Sequence, residues 1–305
     1  MYDNIEFVIC AAGECTRNFP HSKAIAHKSL LPMGDMRIID YTLQDIVRMG
    51  GRHITFVCSN QKVIDDFKHA LATDTKTEEK LRKKGKNDIA DILKNTFLPK
   101  DVDLKFVIQD EPWGTGHVLY MARKAIQKRH VVLIFPDDII LSKNPDQSHF
   151  KRLVDAFLKN TKTALITGLW REDVSNNAIL VNNRVVEKPK NPTSHIAGMS
   201  PNVLPNESIQ FLIKQGPTKI KEAKEQHKEW LYMDSLNDFL DQGGEAAGFK
   251  VDMFLKSDDD QVLDTGNLAL YEQCLLEMLL KHSHYQKQNI TSAREILDSL
   301  SGNNC

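Results

Sequence analysis

Residues 7–17, Phe7-Val8-Ile9-Cys10-Ala11-Ala12-Gly13-Glu14-Cys15-Thr16-Arg17, decide the fold. Six consecutive apolar residues are of strand length and present no polar face, as expected of a strand covered on both sides. Gly13 closes the run and lets backbone N–H groups face a ligand. Downstream, Ile39, Leu43, Ile46 and Val47 recur at helical spacing and predict a helix over Ile38–Met49. A strand at His53–Cys58, a helix at Val63–Leu71, a strand at Leu104–Gln109, a helix at Gly116–Ile126 and a strand at Val131–Phe135 continue the alternation. Strand and helix in turn imply an α/β fold, a mostly parallel central sheet with helices on both faces, Rossmann-like in layout. In such sheets ligands sit outside the carboxyl ends of the strands.

Beyond Asp138 the pattern loosens. A helix at Phe150–Leu158, a strand at Ala164–Trp170, a hairpin over Ala178–Val186 turned at Asn182-Asn183, and a strand at Phe249–Leu255 make a smaller β-rich part. Helices over Leu268–Leu280 and near Ala293–Leu300 make a helical C-terminal tail. Residues 74–100, rich in Lys and Glu, read as a solvated helical insertion. The 305 residues suit one large domain or two ordinary ones at roughly 150 residues each. With no linker or repeat in view, a single domain is expected over 1–305, divided as 1–140, 141–266 and 267–305.

Forty Lys plus Arg balance forty-one Asp plus Glu, a net charge of −1. That balance argues against a nucleic-acid or membrane-surface partner, so charge-based function must be local. The apolar runs fall far short of the roughly 18 residues of a membrane span. The acidic start Met1-Tyr2-Asp3-Asn4-Ile5-Glu6 is unlike a signal peptide. Five cysteines (Cys10, Cys15, Cys58, Cys274, Cys305) show no CxxC or zinc-like spacing, and a reducing cytoplasm is the expected home.

Four stretches can carry chemistry. The loop from Ala11 to Arg17 runs on through Lys23 to Lys28-Ser29-Leu30-Leu31-Pro32, placing three cations where phosphates could lie, or forming a glycine turn with solvated lysines. It is neither a GxxxxGK[ST] phosphate loop nor a GxGxxG dinucleotide turn. Asp137 and Asp138 follow the most apolar strand, where acids can hold a hard cation or simply face solvent. Asp264, before a helix, reads as a second such acid or as an N-cap. Glu187 suits paired sugar hydroxyls and Lys188 a phosphate, provided the strand ends there, since successive strand residues face opposite ways. Gln109 can pair with a base edge, Gly114 and Gly116 allow a flat ring to approach, and His117 reads as a helix-start histidine.

In order, AAGxxTR, KSLLP, QDEPWGTGH, PDD, VVEKP and DTG resemble the motifs of the sugar-1-phosphate nucleotidyltransferase family, most closely its bacterial UTP:glucose-1-phosphate uridylyltransferase branch. The similarity runs from Phe7 to about Leu280 and takes in the charged insertion. It implies a nucleotide-binding half (1–140) and a sugar-binding half (141–266). It also implies that Ala11, Ala12 and Gly13 border the nucleotide, Arg17 meets its distal phosphates and Lys28 lies near the phosphates exchanged. Gln109 and Gly114 would read the uracil, Asp137 and Asp264 would hold Mg2+, Glu187 the sugar hydroxyls and Lys188 the sugar phosphate. UTP and glucose 1-phosphate are then the substrates, UDP-glucose and pyrophosphate the products, and a homo-oligomer is expected. Departures stand at Cys15, where the family has a second glycine, at Asn177-Ala178 in place of a Tyr-Gly pair, and at Ser200 in place of a tyrosine. Other nucleotides or sugars, such as dTTP, and a sugar-nucleotide binder without turnover remain alternatives.

The chemistry needs no general base. A phosphate monoester loses its second proton at a pKa of about 6, so its oxygen is already an anionic nucleophile at neutral pH. In-line positioning and charge neutralisation are what remain to be supplied.

Overall fold

Strand β1 (Ile5–Ala11) lies between two parallel neighbours in a nine-stranded sheet, and its burial on both faces explains its apolar sequence, which only the buried Glu6 interrupts. The computed structural model describes residues 2–302 apart from 24 and 26, and only the main chain of Lys23; Cys305 lies outside the described residues. A small hairpin, β2 (Pro32–Met33) and β3 (Met36–Arg37), leads into helix α1 (Ile38–Arg48). Strand β4 (His53–Cys58) pairs with β1, and β5 (Asp103–Ile108) with β4, both in parallel. On the other side β6 (His130–Ile134) runs parallel to β1.

Helices cover both faces. Phe7 and Ile9 point to one side, against α1, α2 (Gln61–Ala70) and α7 (His149–Lys159); Val8 points to the other, against α5 (Thr115–Met121), α6 (Arg123–Ile126), α8 (Asn206–Gln226) and α9 (Tyr232–Phe239). Phe56, Phe67 and Phe7 are fully buried, each contributing about 1.5–3 kcal/mol by leaving water. The insertion is two short helices, α3 (Thr75–Lys83) and α4 (Asn87–Asn95), packed on each other. Ala90 is their one fully buried residue, so the solvated character read from the sequence holds.

The sheet becomes antiparallel at β11 (Ile196–Leu204), which pairs with β6 on one edge and with β8 (Thr163–Trp170) on the other, while β12 (Lys250–Leu255) runs parallel to β8. The hairpin β9 (Ala178–Val181) and β10 (Arg184–Glu187) turns at Asn182-Asn183, both with positive φ, the turn that matches strand twist. It joins β11 through Ala178 opposite Gly198. A separate two-stranded ribbon, β7 (Asp138–Ser142) with β13 (Asp260–Asp264), sets Asp264 directly opposite Asp138. Helices α10 (Leu268–Lys281) and α11 (Gln286–Gly302) follow. None of the described helices is long and apolar enough to cross a membrane.

Candidate active site

The site is assembled where β1 and β6 end. Ala11 and Ala12 are buried, whereas a Cβ built on Gly13 would meet nothing within 4 Å, so that side of the loop is open. Cys15 then adopts a left-handed backbone, φ +57°, the conformation for which glycine is the usual residue. A side chain is accommodated because the Cys15 thiol finds partners, the Lys28 N–H at 3.4 Å and the Gly13 carbonyl at 3.3 Å. Arg17 sits in the short 3-10 turn that follows, exposed and without an ion pair among the described residues. Its neighbour Asn18 is buried and donates to the Thr265 carbonyl at 3.1 Å, pinning this turn to the loop after β13. The Asn18 side-chain oxygen is buried with no partner among the described residues.

Lys28 begins a second 3-10 turn whose cap is His27, the ring nitrogen of which accepts from the Ser29 N–H at 3.2 Å. Burial, reinforced by the Lys28 charge, pulls the His27 pKa down to about 4, so the ring is a neutral acceptor there. The Lys28 ammonium lies on the Asp137 carboxylate in a largely buried ion pair. Burial works to raise the Asp137 carboxyl, but the attraction of Lys28 outweighs it and holds it below the usual range. Asp138 behaves oppositely: burial, then the charges of Asp137 and Asp264, push its carboxyl well above the usual range. It accepts from the Ser200 N–H at 3.1 Å, and the Ser200 hydroxyl accepts from the Phe135 N–H at 2.8 Å. Ser200 thus ties β11 to the acidic loop.

Asp264 reaches the same place from β13. Thr265 donates to the Asp137 carbonyl twice, from its N–H at 2.9 Å and its hydroxyl at 3.0 Å, locking the two loops together. The Gly266 N–H donates to Asp264 Oδ1 at 2.9 Å. A Cβ on Gly266 would stand 2.9 Å from Asp264 Oδ1 and 3.6 Å from Asp137 Oδ2, so both carboxylates face one small space that only glycine leaves open. Hard oxygen donors around a gap, with Lys28 on Asp137 and the Arg171 guanidinium 3.6 Å from Asp264, fit a divalent ion such as Mg2+. No group of three His, Cys, Asp or Glu ligands exists among the described residues. Two carboxylates leave the remaining positions to phosphate oxygens and water, the usual arrangement for Mg2+ with nucleotides.

Glu187 is the last residue of β10, and Lys188 turns away with a left-handed φ of +47°, its N–H donating to the Asn177 carbonyl at 3.0 Å. The strand therefore ends at Glu187, two residues before Pro189, and the turn at Lys188 removes the opposite-facing problem of consecutive strand residues. Burial raises the Glu187 carboxyl, Lys188 opposes the shift, and Asp234 and Glu229 add to it. Lys188 itself is exposed. Tyr232, fully buried beneath, lies near enough to Glu187 and Cys10 for their charges to raise its phenol, after burial itself. Asn202 donates to the Tyr232 hydroxyl at 3.0 Å.

Gln109 is buried at the end of β5 and donates to the Gly114 carbonyl at 3.3 Å. Gly114 (φ +90°) opens α5, but its space and that of Gly116 are already taken. Cβ atoms there would stand 2.5 Å from the Trp230 carbonyl oxygen and 2.6 Å from its indole. Gly116 therefore admits the Trp230 indole and Gly114 the Trp230 main chain, a correction to the expectation of an incoming flat ring. Trp230 carries no motif by itself; its signal is the distant pair of glycines whose Cβ volume it occupies. His117 hydrogen-bonds the Glu111 carbonyl at 3.0 Å near the helix start.

Residues 6–273 match the family model described as nucleotidyl transferase. The chain belongs to the nucleotidyl transferase family. Among curated relatives of this nucleotidyl transferase, UTP–glucose-1-phosphate uridylyltransferase 2 of Staphylococcus saprophyticus is 29% identical over 68% of the chain and 74% of that enzyme. The UTP–glucose-1-phosphate uridylyltransferase of Haemophilus ducreyi is 27% identical over 58% of the chain and 59% of that enzyme. In fold, the chain is similar to a UDP-glucose pyrophosphorylase from Acinetobacter baumannii, with a TM-score of 0.78 at 20% identity, covering 95% of this chain and 99% of that one. A UDP-glucose pyrophosphorylase complexed with UDP-glucose aligns with a TM-score of 0.68 at 19% identity, covering 91% and 99%.

Proposed function

We propose that this nucleotidyl transferase joins UTP and glucose 1-phosphate to give UDP-glucose and pyrophosphate with Mg2+. The observation that carries the reading is the pair of carboxylates, Asp137 and Asp264, converging over Gly266 beside the Lys28 ammonium at the mouth of the β1 loop. The curated relatives, by their names, act on these two substrates.

The nucleophile is a phosphate oxygen of the sugar 1-phosphate, already anionic at neutral pH, and it attacks the α-phosphorus of UTP as pyrophosphate leaves. Asp137 and Asp264 would hold the Mg2+, whose contribution is to neutralise charge on the reacting phosphates. In this reading the open face of Gly13 borders the nucleotide, and Gln109 lines the base side. Lys28 and Arg17 stabilise the departing pyrophosphate, while Glu187 holds sugar hydroxyls and Lys188 offsets the nucleophile's charge. No residue needs to remove a proton, and neutral His27, engaged with Ser29, is placed to orient Lys28 only. We place the protein in the cytoplasm, acting on small molecules with residues 1–305 working as one domain, and as a homo-oligomer.

The test is pyrophosphate release with each of UTP, dTTP, ATP and GTP against glucose 1-phosphate and N-acetylglucosamine 1-phosphate. Fastest turnover with UTP and glucose 1-phosphate is expected. Faster turnover of another pair would reassign the substrates, and no turnover of any would refute the reading.

A further inference from the structure

Arg171 directly follows β8 and belongs to none of the motifs above. Its main chain is fixed: its N–H donates to the His195 carbonyl at 2.8 Å, the His195 ring nitrogen meets the Arg171 carbonyl at 3.3 Å, and Trp170 stacks on His195 at 5.9 Å. Its head group is not. The guanidinium stands 3.6 Å from Asp264 Oδ2 as a charge pair and makes no side-chain hydrogen bond among the described residues. A planar fork of five donors, none of them engaged, is matched to a phosphate.

The arrangement on the opposite side is similar. Lys28 attends Asp137 from the nucleotide loop, and Arg171 attends Asp264 from the strand that shares β11 with the Glu187 hairpin. Each acid of the pair is thus balanced by a cation from a different half of the sheet. We propose that Arg171 is a further phosphate-binding residue of this site and that its ligand is the phosphate of the sugar 1-phosphate. A divalent ion held by Asp264 would take up that acid's charge and leave the guanidinium's charge and donors free for the monoester. The nucleotide's distal phosphates are served by Arg17 and Lys28. This inference rests on the function proposed above.

The experiment compares wild type, Arg171→Gln, Arg171→Lys and Asp264→Asn in two measurements: KM for each substrate, and binding of Mn2+ to the nucleotide-free protein followed by electron paramagnetic resonance. Loss of charge-assisted hydrogen bonds should raise the glucose 1-phosphate KM by about tenfold or more in Arg171→Gln, with the UTP KM changed by less than about twofold. Arg171→Lys should recover part of the loss. Mn2+ binding to Arg171→Gln should be unchanged or tighter, because a cation has been removed from beside the acid. An unaltered glucose 1-phosphate KM, or an equal rise in both KM values, overturns the assignment. So does weaker Mn2+ binding, which would make Arg171 a residue that holds Asp264 in place. Failure of the underlying reading looks different. Asp264→Asn would then bind Mn2+ like wild type, or wild type would release no pyrophosphate, and either result overturns the inference along with it.

Discussion

Replacing Gly266 with alanine should disable the site while leaving the fold intact. The backbone at Gly266 has no positive φ, so alanine's conformation is allowed, and restricting the unfolded chain favours the folded state by about 0.4–1 kcal/mol. The obstacle is the added methyl, 2.9 Å from Asp264 Oδ1 where ordinary contact begins at 3.4 Å. The carboxylate must therefore shift by about half an ångström or rotate, giving up the 2.9 Å hydrogen bond from the Gly266 N–H. A charge-assisted hydrogen bond of this kind is worth about 1.5–3 kcal/mol. At about 1.4 kcal/mol per factor of ten, that predicts a loss of roughly 10- to 150-fold in kcat with Mg2+. Mn2+ affinity of the nucleotide-free protein should fall in parallel, with Tm lowered by no more than about 5 °C, since the entropic gain offsets only part of the lost hydrogen bond. A folded Gly266→Ala protein with wild-type turnover and metal affinity would refute the argument that both acids serve one ion above this glycine.

Asp137→Ala should lower turnover by at least about 10²-fold; Tm should also fall, because the largely buried Lys28 ammonium loses its partner, but the protein should still fold, since the contact joining the two loops uses the Asp137 carbonyl, which alanine keeps; pyrophosphate release and thermal melting check this. Glu187→Ala should raise the KM of glucose 1-phosphate more than that of UTP. In wild type the sugar KM should climb as pH falls, starting above the ordinary glutamate range, because burial raises the Glu187 carboxyl and its ionised form is lost earlier. Trp230→Ala should cost about 3–5 kcal/mol in urea unfolding, since the indole fills the space over Gly116 and donates to the Ser235 hydroxyl at 2.9 Å. Burial lifts Asp45 to a pKa of about 7 in the folded state, so the unfolded chain ionises first and wild-type stability declines as pH rises from about 4 to about 7. Asp45→Asn should therefore raise Tm more at pH 8 than at pH 4.5; an equal effect at both would refute the shift.

The parallel half of the sheet was legible because its strands are dominated by short apolar runs set between helical stretches, and the observed bounds of β1, β4, β5 and β6 fall within two residues of those expected. β11 was not legible. Gly198 and Ser200-Pro201-Asn202 interrupt any apolar pattern, and the structure absorbs them in a bulge between Met199 and Asn202. α8 was hidden in the same way by Gly216-Pro217, where Gly216 makes room for the Tyr120 ring. Of the candidate site, motif residues could be read along the chain, but their pairings could not. Lys28 with Asp137, Trp230 over Gly116, and Arg171 beside Asp264 join segments far apart in sequence. His27 gave no signal at all, since a buried capping histidine has no spacing to betray it.

The lock between Asp137 and Thr265 spans 128 residues of chain. During synthesis at about 5–20 residues per second, several seconds separate the emergence of the first acid from that of the second. Throughout that interval strand β7 lacks its partner β13, and a nascent chain carries Asp137 without Asp264, half of the proposed cation site. A ribosome stalled before residue 260 would therefore display a chain able to fold its parallel strands yet unable to retain a metal ion. Timed proteolysis of stalled chains would show the loop after β6 becoming protected only once β13 has been made.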